Sequence, residues 1–263
     1  MDYLTALILG IVQGLTEFLP VSSSGHLEIT KEIFNTGYEA KESLLMTVVL
    51  HFATALSTIF IFRKDILIIL KGIISANDTK EKQFAFKIII SMIPAAVVGV
   101  FFEDIIESFF NGQLILVGAM LIVTGLLLFL ADKSKESSSQ ISFFNSFIIG
   151  ISQAIAILPG ISRSGATIAT SVILGVDKTS SAKFSFLMVV PLIFGKVFKD
   201  ILSGDILSES FSFGPLFLGF SAAFATGLFA CKWMISLVKA SKLKYFSFYC
   251  FIIAFSIIFW KIT

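Results

Sequence analysis

Charge is scarce in this sequence. Only 14% of its 263 residues are Asp, Glu, Lys or Arg, where soluble domains carry about 25%. That shortage excludes a soluble globular enzyme, a disordered chain and a nucleic-acid binder, and the net charge of +2 specifies no partner. Cysteine is nearly absent. Cys231 and Cys250 both lie in apolar stretches and no CxxC or CxxH spacing exists, so neither a structural disulfide nor a zinc site is expected. Arginine is equally rare: Arg63 and Arg163 are the two among 20 basic residues. Lysine is the default cation here, so an arginine in an odd place needs a reason. No cleavable signal peptide is expected, because Asp2, and no Lys or Arg, precedes the first apolar run.

Apolar sequence is what the chain has in excess. Hydrophobic residues make up 56% and the mean hydropathy is +0.93. With about 20 apolar residues per crossing, the length has room for roughly ten. Uniformly apolar runs stand at about 44–62, 84–102, 114–131, 184–201, 214–238 and 245–262. Two further stretches are apolar but broken: 3–34 at Pro20 and Ser22-Ser23-Ser24-Gly25, and 141–176 at Pro159-Gly160 and Ser162-Arg163-Ser164-Gly165. Proline followed by small polar residues stops a helix and frees backbone N–H groups. Inside a membrane such a break must be buried in protein or line a wet cavity.

The broken stretches resemble each other. Gly10-Ile11-Val12-Gln13 matches Gly150-Ile151-Ser152-Gln153 at an offset of 140, and Ser22, Ser24 and Gly25 match Ser162, Ser164 and Gly165 at the same offset. Each is followed by three spans. The expectation is an all-α polytopic membrane protein, a single membrane domain over 1–263 with pseudo-repeats 1–131 and 141–263. It has six transmembrane helices plus two re-entrant helical hairpins. The basic residues of loops 63–83 and 239–244, against the acidic 103–113, place those two loops in the cytoplasm and both termini outside. The first hairpin then enters from outside and the second from the cytoplasm, which makes an inverted-topology repeat with its site at the repeat interface.

Glu17 is the only charged residue between Asp2 and Glu28, and Arg163 the only one between Glu136 and Asp177. A charge at the membrane centre costs roughly 2.5–3.5 kcal/mol on insertion scales, so both need a partner or a polar cavity. A structural ion pair between them is one reading. The neighbours favour chemistry: Gln13 lies four residues before Glu17 on one helix face, and Ser22, Ser23, Ser24, Gly25 and His26 follow. Ser162, Ser164, Gly165 and Thr167 surround Arg163. Helix N-termini, a guanidinium fork and hydroxyls suit a phosphate, and glycine lets backbone approach closely. A carboxylate in that company indicates a divalent metal, Mg²⁺ or Ca²⁺, or general-base work; serine or histidine would be the nucleophile. His51, alone in an apolar span, reads as a satisfied core histidine. Gly118 and Gly125 read as helix-packing positions, and the 30 phenylalanines as lipid-facing filler.

At these residues the sequence resembles the bacterial undecaprenyl-diphosphate phosphatase, or bacitracin-resistance, family. The match rests on Gln13 to Glu17, where the family has Glu or Gln at the first position, on Pro20 to His26, and on Pro159 to Thr167. Phe184 to Leu187 with Pro191, and Met92 to Ala95, extend it across essentially the whole chain. The resemblance implies hydrolysis of undecaprenyl diphosphate to undecaprenyl phosphate and phosphate, recycling of the lipid carrier for cell-wall synthesis, and bacitracin resistance. It implies Glu17, Ser23, His26 and Arg163 as the catalytic core, and Ser22, Ser162, Ser164 and Thr167 on phosphate oxygens, beside which Ser24 and Gly25 are further phosphate-binding candidates. Glu17, with Gln13 as a second candidate, is the expected metal ligand. The implied setting is a homodimer in the bacterial inner membrane, among bilayer lipids, with its site facing outside and a polyprenyl diphosphate as substrate.

Two other families share parts of this pattern. Type-2 phosphatidate phosphatases also show Ser-Gly-His and Ser-Arg elements, but they need histidine six residues after the arginine and aspartate four later. Those positions are Ala169 and Ile173 here, so that mechanism lacks its nucleophile. A transporter or flippase of polyprenyl phosphate lipid fits inverted repeats with broken helices on architecture alone.

Overall fold

The computed structural model describes residues 2–34, 40–75, 77, 79–110, 112–134, 139–202, 213–239 and 242–263. Residues 240–241 of the basic loop 239–244, and Glu136, lie outside them. The described chain consists of helices α1 (Tyr3–Thr16), α2 (Ser23–Ile33), α3 (Ala40–Ile61), α4 (Arg63–Ile74), α5 (Lys80–Phe101), α6 (Glu103–Ser108), α7 (Leu114–Lys133), α8 (Phe143–Ile155), α9 (Arg163–Ile173), α10 (Lys178–Leu202), α11 (Phe213–Lys239) and α12 (Leu243–Ile262). The β structure among the described residues is one isolated bridge between Ser139 and Val176.

The protein is a multi-pass membrane protein. Helices α5, α7, α10, α11 and α12 are each long and apolar enough to cross a bilayer, and α3 with α4 makes a sixth candidate bent by 79°. That bend departs from the sequence reading, which took 63–83 as loop. Residues 63–74 are instead helical, with Arg63, Lys64 and Lys71 on a helix that exposes Leu67, Ile68, Ile73 and Ile74. An amphipathic helix set across the spans suits a membrane surface; its lysines dominate the composition and hide the periodicity.

Charged side chains collect at two ends of the bundle. At one end Lys183 pairs with Asp65, and Asp132 Oδ1 accepts from the backbone N–H of Lys244 at 3.1 Å. At the other Lys199 pairs with Glu103, and Lys261 with Glu32.

Neither hairpin is long enough to cross. The 14 residues of α1 rise about 21 Å at 1.5 Å each, short of a bilayer core of about 30 Å. Helix α1 lies along α11, and α8 along α5. The start of α1 meets the start of α11, where Tyr3 abuts Gly214; the start of α8 meets α5, where Lys87 sits 5.3 Å over the Phe143 ring. The hairpins therefore enter the bundle from opposite ends and meet tip to tip.

Local chemistry makes the tips. Pro20 offers no N–H to continue α1, and Ser22 caps α2, its Oγ accepting from the Gly25 N–H at 3.2 Å. In the second tip Ser162 Oγ accepts from the Gly165 N–H at 3.0 Å. Gly160 turns with φ +98°, and a Cβ there would lie 2.4 Å from the Val117 carbonyl oxygen, so only glycine fits. A Cβ on Gly25 would stand 3.2 Å from Gly160 Cα: the tips touch backbone to backbone.

Packing around the tips corrects one expectation. Phe18, Phe184 and Phe186 are fully buried, with Phe18 edge-on to Phe186 at 5.6 Å. These rings are core, whereas Phe101, Phe198, Phe229 and Phe259 are exposed as lipid-facing residues should be. Gly118 and Gly125 pack as expected, against Ile258 and Phe251 of α12. Cys231 and Cys250 are buried and free.

Candidate active site

Glu17 is the residue on which the two tips converge. It stands at the C-cap of α1, where the helix stops before Pro20, and is 8% exposed. Its Oε2 accepts from Ser23 Oγ at 2.7 Å and from Gln13 Nε2 at 3.0 Å. Its Oε1 accepts from the Arg163 guanidinium. The i, i+4 spacing on α1 delivers Gln13, the capped start of α2 delivers Ser23, and the first residue of α9 delivers Arg163. A carboxylate buried this far is tolerable because a cation and hydrogen bonds surround it.

Arg163 is anchored twice. A second guanidinium nitrogen donates to the Ser185 carbonyl oxygen at 3.2 Å. A guanidinium has five N–H donors, so the ion pair that one sequence reading called structural leaves donors for a ligand. Around it runs a hydroxyl lattice. Thr167 Oγ1 and Ser185 Oγ lie 2.6 Å apart, Ser162 and Ser164 Oγ 3.2 Å, and Ser22 and Ser24 Oγ 3.3 Å. Ser164 Oγ donates across the tips to the Leu19 carbonyl oxygen at 3.2 Å. The helices α2 and α9, 11 residues each, both begin here, which adds two positive dipole ends. Ser22 has φ +71°, a conformation that costs of order 1–3 kcal/mol for a non-glycine residue and gathers at functional sites.

Of the residues singled out in the sequence, Gln13, Glu17, Ser23 and Arg163 thus come into direct contact. Ser22, Ser24, Gly25, Ser162, Ser164 and Thr167 line the two helix starts beside them. His26 is held differently. Its Nδ1 lies 2.8 Å from the Ser22 carbonyl oxygen and its Nε2 2.8 Å from the Tyr249 hydroxyl. A carbonyl only accepts, so Nδ1 carries the proton and Nε2 accepts from Tyr249.

Four participants carry no site role in the sequence; one is Ser185, on Arg163 and Thr167. His51 is a core histidine only in part: Nδ1 donates to the Thr47 carbonyl oxygen at 2.8 Å, but Nε2 faces Glu17 Oε2 at 3.7 Å. The polar stripe Thr47, His51, Thr54, Thr58 on one face of α3 was a legible signal. Thr124 Oγ1 accepts from the Ser162 N–H at 3.0 Å, and nothing in the apolar α7 sequence marks it. Tyr249, more than 200 residues from His26 in the chain, carried no signal either.

The donors suit a cation brought in by a polyanion better than a resident one. No cluster of three or more His, Cys, Asp or Glu exists among the described residues. However, the buried Gln13 Oε1 has no hydrogen-bond partner among the described residues, and it stands on the same amide that donates to Glu17. One carboxylate and one orphaned amide oxygen fit a hard divalent ion whose remaining ligands come from phosphate and water.

The fold is that of an integral membrane protein in which a serine donates to a buried carboxylate beside a forked arginine and two helix N-termini. Sequence comparison gives the family: residues 6–256 match the bacitracin resistance protein BacA model, and the chain belongs to this family. It is 59% identical over 258 residues to an undecaprenyl-diphosphatase of Christiangramia forsetii, spanning 98% of each chain. Identity to the undecaprenyl-diphosphatase of Bacteroides fragilis is 46% over 257 residues and 96% of each chain. To that of Methanococcus vannielii it is 42% over 261 residues, 97% of this chain and 98% of the other.

Proposed function

We infer that this chain is an integral-membrane phosphatase that hydrolyses undecaprenyl diphosphate to undecaprenyl phosphate and phosphate. It recycles the lipid carrier for cell-wall synthesis and confers resistance to bacitracin. The observation that carries the reading is the Ser23 Oγ–Glu17 Oε2 hydrogen bond of 2.7 Å, with Arg163 on the other carboxylate oxygen, in a chain that matches undecaprenyl-diphosphatases over nearly its full length.

The geometry supports Ser23 as nucleophile and Glu17 as its base. Ser23 Oγ attacks the terminal phosphorus while Glu17 takes its proton. The Oγ–P bond forms, the bond from phosphorus to the bridging oxygen breaks, and that oxygen leaves with the electron pair on undecaprenyl phosphate. Glu17 passes the proton to the departing phosphate. Water then attacks the phosphoserine and gives a proton to Glu17, and Ser23 Oγ leaves and takes it back. Arg163 and the N–H groups at the starts of α2 and α9 hold the phosphoryl oxygens as charge develops, with Ser22, Ser24, Ser162, Ser164 and Thr167 lining them. His26, both nitrogens engaged, serves as proton carrier and not as nucleophile. Glu17 and Gln13 Oε1 would hold a Mg²⁺ or Ca²⁺ ion that neutralises diphosphate charge.

The same reading takes the two halves, 1–131 and 141–263, as inverted repeats with re-entrant hairpins. Gly10 and Gly150, 140 residues apart, each press a span: a Cβ would lie 2.4 Å from the Gly219 carbonyl oxygen and 2.5 Å from the Ser91 carbonyl oxygen. It further places the protein in the bacterial inner membrane as a homodimer, with its site open to the outer face.

The test is phosphate release by purified protein in detergent from a long-chain prenyl diphosphate, with and without a chelator. Detergent removes any vectorial readout, so a transporter or flippase would release nothing. Release that stops on chelation and returns with Mg²⁺ or Ca²⁺ supports the full reading. No release with metal restored overturns it.

A further inference from the structure

Tyr249 is unlike its neighbours on α12. Phe248, Ile252 and Phe255 are exposed apolar residues, as a lipid-facing helix requires. Tyr249 is half-exposed yet spends its hydroxyl on the first hairpin, 2.8 Å from His26 Nε2. Its ring lies nearly parallel to the imidazole, with an interplanar angle of 12° and centroids 5.7 Å apart. Helix α12 also reaches the first hairpin through Cys250, whose Sγ lies 3.8 Å from the Pro20 carbonyl oxygen, and through the Lys261–Glu32 pair at the end of the bundle.

We propose that Tyr249 is a positioning residue that acts through His26. The argument is one of donor accounting. His26 Nδ1 lies 2.8 Å from the carbonyl oxygen of Ser22, which can only accept, so that nitrogen bears the hydrogen. Nε2 is then a lone pair, and the Tyr249 O–H is the donor that satisfies it. The two contacts fix both the tautomer and the rotation of the ring. Without the hydroxyl the half-buried imidazole is free to turn or to exchange tautomers, and Nε2 is no longer held in one place as a lone pair. Losing one such hydrogen bond corresponds to roughly a tenfold change at most. The ring stacking fixes the imidazole plane, so the hydroxyl and the ring have separable effects.

The inference rests on the phosphatase reading, and the experiment keeps the two apart. Tyr249→Phe retains the ring and removes the hydroxyl. Turnover of the purified full chain should fall by up to about 10-fold while KM stays within about twofold. In a His26→Ala background the same substitution should cause no further loss, because its effect passes through the imidazole. The chain has two histidines, so selective ¹⁵N labelling resolves both, with His51→Gln assigning the second. Tyr249→Phe should move the His26 nitrogen resonances away from the fixed Nδ1–H form and leave His51 unchanged. An active wild type with full turnover in Tyr249→Phe, or an equal loss with and without His26, overturns the proposal, as do unmoved His26 resonances. A wild type that releases no phosphate would instead sink the phosphatase reading.

Discussion

Replacing Arg163 by lysine separates a phosphate clamp from a structural ion pair. Lysine keeps the positive charge and can still reach toward Glu17. It cannot hold Glu17 and the Ser185 carbonyl oxygen, 3.2 Å from a second guanidinium nitrogen, in one rigid plane, because an ammonium is a point charge on a flexible stem. The cost to the folded state is one side-chain hydrogen bond, about 1 kcal/mol. The cost to reaction is larger. In the phosphatase reading the clamp's remaining N–H groups serve the phosphoryl oxygens, and losing one preorganised donor typically removes about 2.7–4 kcal/mol of transition-state stabilisation. Turnover should therefore drop by a factor of about 100 or more, with the loss in kcat and not chiefly in KM. Phosphate release in detergent measures this, alongside thermal unfolding of the same sample. Arg163→Met should behave differently, because it strands Glu17 as a buried unpaired charge at about 3–5 kcal/mol, and should lose folded protein. An Arg163→Lys variant with near-normal turnover but lowered thermal stability would return Arg163 to a purely structural role.

Further outcomes follow from the same geometry. Ser23→Ala should abolish turnover, and trapped enzyme should carry an acid-stable phosphoserine; an acid-labile, base-stable phosphoenzyme with an active Ser23→Ala would make His26 the nucleophile. Gly160→Ala should lower thermal stability by more than about 2 kcal/mol, since it combines positive φ with a 2.4 Å approach to the Val117 carbonyl oxygen; a thermal midpoint equal to wild type would show that the tip is not tightly packed. With the native cysteines buried, a cysteine at Ser75 should resist an impermeant thiol reagent in intact cells while one at Thr263 reacts. The reverse pattern would move the site to the other leaflet.

Much of this architecture is local and was written into the chain. Five of the six apolar runs became helices long and apolar enough to cross, and the sixth became α3, which qualifies only together with the bent α4, since a bilayer leaves a backbone no other way to satisfy its hydrogen bonds. Pro20 and Pro159-Gly160 set the two breaks, and Ser22 and Ser162 capped the helices after them, because stopping and capping depend on neighbours a few residues apart. Glu17 and Arg163 were legible because a lone charge in an apolar run demands a partner. Which partner, and on which oxygen, was settled only by the meeting of two tips 146 residues apart. The same is true of His51 at 3.7 Å from Glu17, of Thr124 under Ser162, and of Tyr249 on His26. Thr124 and Tyr249 sit in spans where a single polar side chain is unremarkable, and their hydrogen bonds between helices leave no periodicity behind; the polar stripe of α3 marks His51 but not the group it faces. The phenylalanines show the limit most plainly: Phe18 and Phe186 in the core and Phe259 at the surface are the same side chain in equally apolar sequence. In a membrane both lipid and protein interior are apolar, so hydrophobicity alone does not tell them apart, and only helix packing assigns each ring its side.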